Sequence, residues 1–275
     1  MVTMPTTPSV RAVIFDLGDT LWFHARQAPL GDLLPFQAEA VGPLIEAWSL
    51  VIPIPLLRLL EEIWLAGDEA DRTREYGHLR EMDLAFIARG ALSAYGVEIT
   101  PEQAEAWHRA AWIPARHFGV QLYPDTLDVL CELRARGICI AINSNRPCTG
   151  EMMNTDVDDF GMTPYIDAVV CSGDTGFVKP HPSTFEVVIE KLGLPADEMV
   201  MVGDSCERDC VPAHQLGMTT VLKLNGRYGE KPCAGADYTI HDLAELLALP
   251  IFGADRHVAG AESLMPHEGG NAGRY

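Results

Sequence analysis

The sequence predicts an α/β fold: a doubly wound parallel sheet interrupted after its first strand by an all-helical module. Three observations carry this expectation. From residue 119 to 249, short β-branched runs alternate with helix-like stretches, the pattern of repeated strand–helix–strand crossovers. A matching run, Val10-Arg11-Ala12-Val13-Ile14-Phe15-Asp16, stands alone near the start, and the long segment between the two shows apolar positions only at helical spacing. The length of 275 residues exceeds one typical domain of about 150 and suits a core with a large insertion.

The first run is rich in β-branched residues and ends on an acid, so it reads as a buried strand with Asp16 at its carboxyl end. Leu17-Gly18-Asp19-Thr20 is turn-like, and Leu21-Trp22-Phe23 is apolar again. From His24 to about Phe118, the stripe Leu84, Ile87, Ala88, Ala91, Leu92 and Tyr95 marks one helix. Thr100-Pro101-Glu102-Gln103 announces another, with an N-cap, proline at the first helical position and glutamine three after the cap; Trp107, Ala111 and Trp112 then share a face. Asp125 reads as the N-cap of a helix ending at Gly137, in the position where a left-handed residue belongs. Strands follow at Ile138–Asn143, Ile166–Val170, Met199–Val202 and Thr219–Leu224. Helices fall near Ser183–Leu192, Arg208–Leu216 and Asp242–Leu249. The expected organisation is a core of residues 10–23 and 119–250, a helical module of 24–118, and flexible termini at 1–9 and 251–275.

Composition narrows the function classes. Hydrophobic residues at 48% and charged residues at 21% are those of a globular chain. With 39 Asp plus Glu against 20 Lys plus Arg, the net charge of −19 excludes a nucleic-acid partner, which needs clustered cations. Seven cysteines without a paired CxxC argue against a disulfide framework or a zinc cage and for a reducing setting. Cys206 and Cys210, four apart, read as small buried hydrophobes. The longest apolar run, Ala47–Leu57, is broken by Pro53 and Pro55 and falls short of the ~20 residues of a membrane span. Met1–Ser9 lack the basic and apolar regions of a secretory signal, so a soluble, cytoplasmic protein is expected.

In a parallel α/β sheet, ligands bind beyond the carboxyl ends of the strands, which draws attention to Asp16, Ser144, Lys179 and the pair Asp204 and Asp209. If adjacent strands bring Asp16 and Asp204 together, the two anions repel unless a cation joins them. A hard ion with oxygen ligands, Mg²⁺, resolves the conflict and fills its remaining positions with water and substrate phosphate. Lys179, one of four lysines in the chain, lies in a loop where its ammonium could neutralise a phosphoryl oxygen and the Asp16 carboxylate. Ser144 and Asn145 end a strand and offer a hydroxyl and backbone N–H groups to phosphate oxygens. Singly, each of these residues has an ordinary reading as a cap, a turn or a solvated charge. Their joint occurrence at strand ends gives the signal.

These residues resemble the motifs of the haloacid dehalogenase-like hydrolase superfamily. Val13-Ile14-Phe15-Asp16-Leu17-Gly18-Asp19-Thr20-Leu21 resembles its first motif, Ile142-Asn143-Ser144-Asn145 its second, Val178-Lys179-Pro180 its third, and Met201 through Asp209 its fourth. The resemblance implies a Rossmann-like core, with the helical insert as a cap over the site. It also implies a phosphatase acting on a small phosphorylated metabolite through an aspartyl-phosphate on Asp16. Ser144, Asn145 and Lys179 would hold the phosphoryl group. Asp16, the Gly18 carbonyl and Asp204 would serve the metal, with Asp209 as a further ligand or as a partner to Lys179.

One departure stands out. Phosphatases of the superfamily usually carry a second Asp two residues after the nucleophile, as the general acid and base. Here that place is Gly18, and the acid stands one residue later as Asp19. General acid–base help is worth about 10²–10⁴-fold, so the shift implies a slow phosphatase or one needing good leaving groups. Two alternatives follow: a cofactor-free 2-haloacid dehalogenase, which the metal-type Asp204 disfavours, or a catalytically impaired ligand-binding protein. The helical module would set specificity, and Trp22, His24, Arg72, Arg74, Trp107 and Trp112 are candidate pocket residues. Tryptophan at helical spacing more often packs a core, and Arg72 and Arg74 among acids more often form a solvated face. The sequence leaves substrate identity and oligomeric state open.

Overall fold

The computed structural model describes residues 10–26, 28–73, 78–224 and 233–252. Along the chain these form β1 (Ala12–Phe15), β2 (Trp22–His24), α1 (Leu30–Ala47), α2 (Leu56–Arg72), α3 (Leu84–Ser93), α4 (Pro101–Ala111), β3 (Val120–Leu122), α5 (Thr126–Ala135) and β4 (Cys139–Ser144). Then come α6 (Gly150–Asp159), β5 (Ala168–Cys171), α7 (Ser172–Thr175), α8 (Ser183–Leu192), β6 (Met199–Gly203), α9 (Val211–Gln215), β7 (Thr219–Lys223) and β8 (Tyr238–Ile240). The main sheet is parallel throughout, in the order β5-β4-β1-β6-β7-β8. The strand order reverses at β1, as in a doubly wound α/β sheet of the Rossmann type.

Period-two alternation along β1 explains why the sheet needs helices on both faces. Val13 and Phe15 enter one core layer with Leu130 and Leu133 of α5 and Met153 and Val157 of α6. Ala12 and Ile14 enter the opposite layer with Phe185 and Val188 of α8 and Ala213 of α9. All four residues of β1 are fully buried, which is why the run reads as continuously apolar. The helices α1 to α4 pack on one another through a third cluster that includes Leu34, Val41, Leu59, Leu92 and Trp107. The cap at α4 takes the form its sequence predicts: the Thr100 side chain accepts from the Gln103 N–H at 3.2 Å, and Gln103 accepts from the Thr100 N–H at 2.9 Å.

Several details differ from the sequence reading. β2 and β3 pair antiparallel, Trp22 opposite Leu122 and His24 opposite Val120, making a small ribbon between sheet and helices. Three residues per strand are too few to show alternation. Asp125 stands before α5 without capping it; its Oδ2 accepts from the Ala244 N–H at 2.8 Å instead. Gly137 is left-handed as expected, with φ +73°. The expected helix at 208–216 is a π-type turn, Cys206–Cys210, followed by α9, and the one at 242–249 is a 3₁₀ helix, Leu243–Ala248. α6 was not foreseen.

Cys206 is bonded to Cys233, which corrects its reading as a buried hydrophobe and the expectation of no disulfide; Cys210 is buried and free. Ile251 and Phe252, expected in a flexible terminus, belong to a 3₁₀ turn, Pro250–Phe252, packed against the core. Residues 1–9 and 253–275, and Arg74, lie outside the described residues. Among the described residues, no helix is long and apolar enough to cross a membrane.

Candidate active site

The three adjacent strands β4, β1 and β6 end side by side, and each delivers a polar residue at its carboxyl end. Ser144 closes β4, Asp16 follows β1, and Asp204 follows β6. The Asp16 N–H donates to the Val202 carbonyl at 2.9 Å, which extends the ladder and fixes the carboxylate at the sheet edge. Asp16 and Asp204 are each 8% exposed and Asp209 is 1% exposed. One oxygen of each lies within 4.8 Å of the others.

Asp209 reaches this cluster because the turn after β6 folds back on itself. The Ser205 N–H donates to Asp209 Oδ2 at 3.0 Å, and a Cβ at Gly203 would collide with the Asp209 carboxylate, so that position needs glycine. Lys179 completes the group. Its Nζ donates to Asp16 Oδ1 at 2.8 Å, Asp209 Oδ1 at 2.7 Å and the Asn143 carbonyl at 2.7 Å, which uses all three ammonium protons. Asn145 holds the backbone that carries this lysine: its Oδ1 accepts from the Lys179 N–H at 2.7 Å, and its Nδ2 donates to the Lys179 carbonyl at 3.2 Å. The Asn145 side chain is therefore spent on positioning Lys179.

The electrostatics follow from burial. Removal from water pushes the Asp16 carboxyl above its ordinary range; Lys179 opposes this and the Asp209 charge adds to it. Burial pulls the Lys179 ammonium down, but Asp16 and Asp209 together hold it above the ordinary lysine value, so the lysine is charged. Three buried carboxylates converge here, with the Lys179 ammonium between two of them and the Arg208 guanidinium also lowering the Asp16 pKa. An all-oxygen donor set of this kind suits a hard divalent cation.

A cavity of about 510 Å³ opens over the cluster, lined by Asp16, Gly18, Asp19, Ser144, Lys179 and Asp204 among others. Of the residues expected at the strand ends, Asp16, Lys179, Asp204 and Asp209 form the carboxylate–lysine cluster, Asn145 bonds the Lys179 backbone, and Ser144 lines the cavity with Gly18 and Asp19 of the turn after β1. Asp19 has the left-handed φ of +59°, its N–H donates to the Trp22 carbonyl at 2.7 Å, and its half-buried side chain borders the cavity. Gly18 leaves open space where a Cβ would stand.

Sequence reasoning passed over four neighbours. Lys223 ends β7 and is 2% exposed; its Nζ lies 3.4 Å from the centroid of the Tyr123 ring and donates to the Asp19 carbonyl at 3.3 Å. Burial lowers its pKa against the pull of several carboxylates. The available signal was a rare lysine at a strand end. Arg146, Arg208 and Glu81 also line the cavity, and Glu81 accepts from the Ser172 hydroxyl, which ties the helical module to the sheet. Beside it, the Glu81 N–H donates to the Gly176 carbonyl at 2.9 Å, and the Leu79 carbonyl accepts from the Val178 N–H at 2.8 Å, one residue before Lys179. Of the other pocket candidates, His24, Trp107 and Trp112 line a second cavity, Trp22 is buried core, and Arg72 pairs with Asp68 and Glu69 on the exposed face of α2.

A family model described as haloacid dehalogenase-like hydrolase matches residues 10–217. The chain is 28% identical to the glyceraldehyde 3-phosphate phosphatase of Methanocaldococcus jannaschii over 240 residues, which cover 86% of this chain and 96% of that protein. It is 37% identical to the ribulose-1,5-bisphosphate 5-phosphatase of Halopiger xanaduensis over 212 residues, 77% of this chain and 83% of that one. Among solved structures, a 2-haloacid dehalogenase from Pseudomonas syringae superimposes with a TM-score of 0.55 at 23% identity, covering 87% of this chain and 97% of the other, and so shares the fold.

Proposed function

The chain belongs to the haloacid dehalogenase-like hydrolase family, and from that premise we propose that it is a Mg²⁺-dependent phosphomonoesterase working through an aspartyl-phosphate on Asp16. The observation that carries this reading is the buried cluster of Asp16, Asp204 and Asp209 around one oxygen-rich point, with Lys179 bonded to the first and third. A cofactor-free attack on carbon has no use for Asp204. Residues 10–23 and 119–250 would form the catalytic core and residues 24–118 the cap.

Mg²⁺ would be held by Asp16, Asp204, the Gly18 carbonyl and, directly or through water, Asp209; when bound it supplies neutralisation of phosphoryl charge. Asp16 offers the carboxylate oxygen that Lys179 does not occupy to the phosphorus. As that bond forms, the ester P–O bond breaks and its electron pair leaves on the alcohol oxygen, which takes a proton from Asp19 or from solvent. Water then adds to the same phosphorus, Asp16 departs as a free carboxylate and inorganic phosphate is released. Ser144 and Lys179 stabilise the equatorial oxygens in both steps. The substrate is a small phosphorylated metabolite, a class that the names of the relatives support.

The test is phosphate release from an activated aryl phosphate, with Mg²⁺ and with EDTA, for the wild type and Asp16→Asn. Release that depends on both the metal and Asp16 is expected. Release that survives Asp16→Asn would overturn the mechanism. Chloride release from a 2-haloacid without metal would replace it with the dehalogenase.

A further inference from the structure

A second cavity, of about 390 Å³, lies within the helical module and runs into the first. His24, Asp71, Met82, Arg146 and Pro147 line both, so the space over Asp16 continues into it. Its wall differs in kind from that of the carboxylate site. Trp64, Trp112 and Phe118 contribute aromatic surface and Ile63 and Leu84 aliphatic surface, backed by the buried Trp107, Leu60 and Ala88. Trp64 and Phe118 stack on each other at 6.0 Å between centroids.

The lining also says what the cavity does not take. Among the described residues, Arg146 is its one Lys or Arg and stands at the shared end, so the deeper wall offers no cation to a second anionic group. Burial lowers the pKa of His108, which makes this imidazole a neutral part of the wall. Trp107, 1% exposed, backs this wall from within the core of the module. A cavity of roughly 150 Å³ is enough to hold a benzene ring, so this one has room for two fused rings.

Resting on the phosphatase reading, we propose that the substrate is a phosphomonoester whose alcohol carries a large, uncharged aromatic body, held in this cavity while the phosphoryl group lies at Asp16. Size and chemistry both point away from a three-carbon or bisphosphorylated sugar as the best substrate: the first leaves the cavity empty, and the second places an anion against an apolar, aromatic wall.

The experiment uses binding as well as turnover. Three of the five tryptophans line the cavity, so intrinsic fluorescence reports occupancy. Titration of the full chain with Mg²⁺ present should show 2-naphthylmethylphosphonate binding at least about tenfold more tightly than methylphosphonate, with tryptophan quenching by the former. In phosphate release, 2-naphthyl phosphate should be favoured over acetyl phosphate, and Ala111→Phe, which fills the cavity from the end of α4, should lower that ratio at least about tenfold. Equal affinity of the two phosphonates overturns the proposal, and so does an unchanged ratio in a folded Ala111→Phe. If Ala111→Phe does not fold, the phosphonate comparison in the wild type decides. Absence of phosphate release from 2-naphthyl phosphate and acetyl phosphate alike overturns the phosphatase reading instead, and the phosphonate titration still decides the cavity.

Discussion

Replacing Lys179 with methionine removes the ammonium from between Asp16 and Asp209 while keeping the length of the side chain. Three hydrogen bonds of 2.7–2.8 Å disappear, and two carboxylates that shared a cation now face each other in a buried site. Charges within 4.8 Å of each other repel by about 3.5 kcal/mol at an effective dielectric constant near 20. That agrees with the cost of about 3–5 kcal/mol for removing one partner of a buried ion pair. Against a typical total stability of about 5–15 kcal/mol, the loss is easily measured in urea. The same reasoning fixes how metal should act: a divalent cation at the three carboxylates relieves the repulsion that the lysine relieved. Lys179→Met should therefore lose about 3–5 kcal/mol in EDTA and clearly less in saturating Mg²⁺. A loss below about 1 kcal/mol in EDTA would refute the charge argument, because a buried ion pair of this geometry would then contribute no more than a surface one. An equal loss in EDTA and Mg²⁺ would refute the metal site and leave Lys179 a packing element.

The sequence made the centre of this site visible because the chemistry sits at the ends of strands whose apolar runs are unmistakable. Phe15 to Asp16, Val202-Gly203 to Asp204, and Asn143 to Ser144 each mark the step from a fully buried strand to a polar terminus. Two features were hidden for different reasons. The Cys206–Cys233 bond joins residues 27 apart, with α9 and β7 between them, and no local pattern records a pairing of that kind. Lys223 lies under the Tyr123 ring, on a strand whose partner order is known only once the sheet is assembled. The helical module was legible as texture alone. Trp107, Ala111 and Trp112 were placed on one face, and all three line its cavity, although α4 stops at Ala111 and Trp112 has an extended backbone. Periodicity found the face; whether it faced a core or a hollow depended on how α2 and α3 close over it.

Three further outcomes are expected. Closing a 27-residue separation stabilises by up to about 3.5 kcal/mol in the chain-entropy account, so Cys233→Ser should lower the urea midpoint, and an unchanged midpoint would show the bond to be unformed in solution. His108 has its folded-state pKa lowered by burial from an ordinary 6.5. Its unfolded form therefore takes up a proton first, and the stability this imidazole contributes is present above pH 6.5 and lost as the pH falls through its folded pKa. In unfolding curves from pH 7.5 to 5, His108→Phe should flatten this acid-side decline, and an identical slope would place the titration elsewhere.

The last expected outcome concerns the turn after β1. A Cβ at Gly18 meets nothing within 4 Å, and Gly18 lines the cavity beside Asp16, so Gly18→Asp is sterically free and sets a carboxyl on the route of the leaving group. If Asp19, held at φ +59° by its bonds to Trp22 and Lys223, is poorly aimed for proton transfer, Gly18→Asp should raise kcat on an unactivated alkyl phosphate by about 10²-fold. The gain on an aryl phosphate with a good leaving group should be much smaller, since that oxygen departs without a proton. Asp19→Asn in the wild type gives the converse reading. A large loss there, with no gain from Gly18→Asp, would mean that the displaced acid already performs the transfer and that the left-handed turn is what aims it.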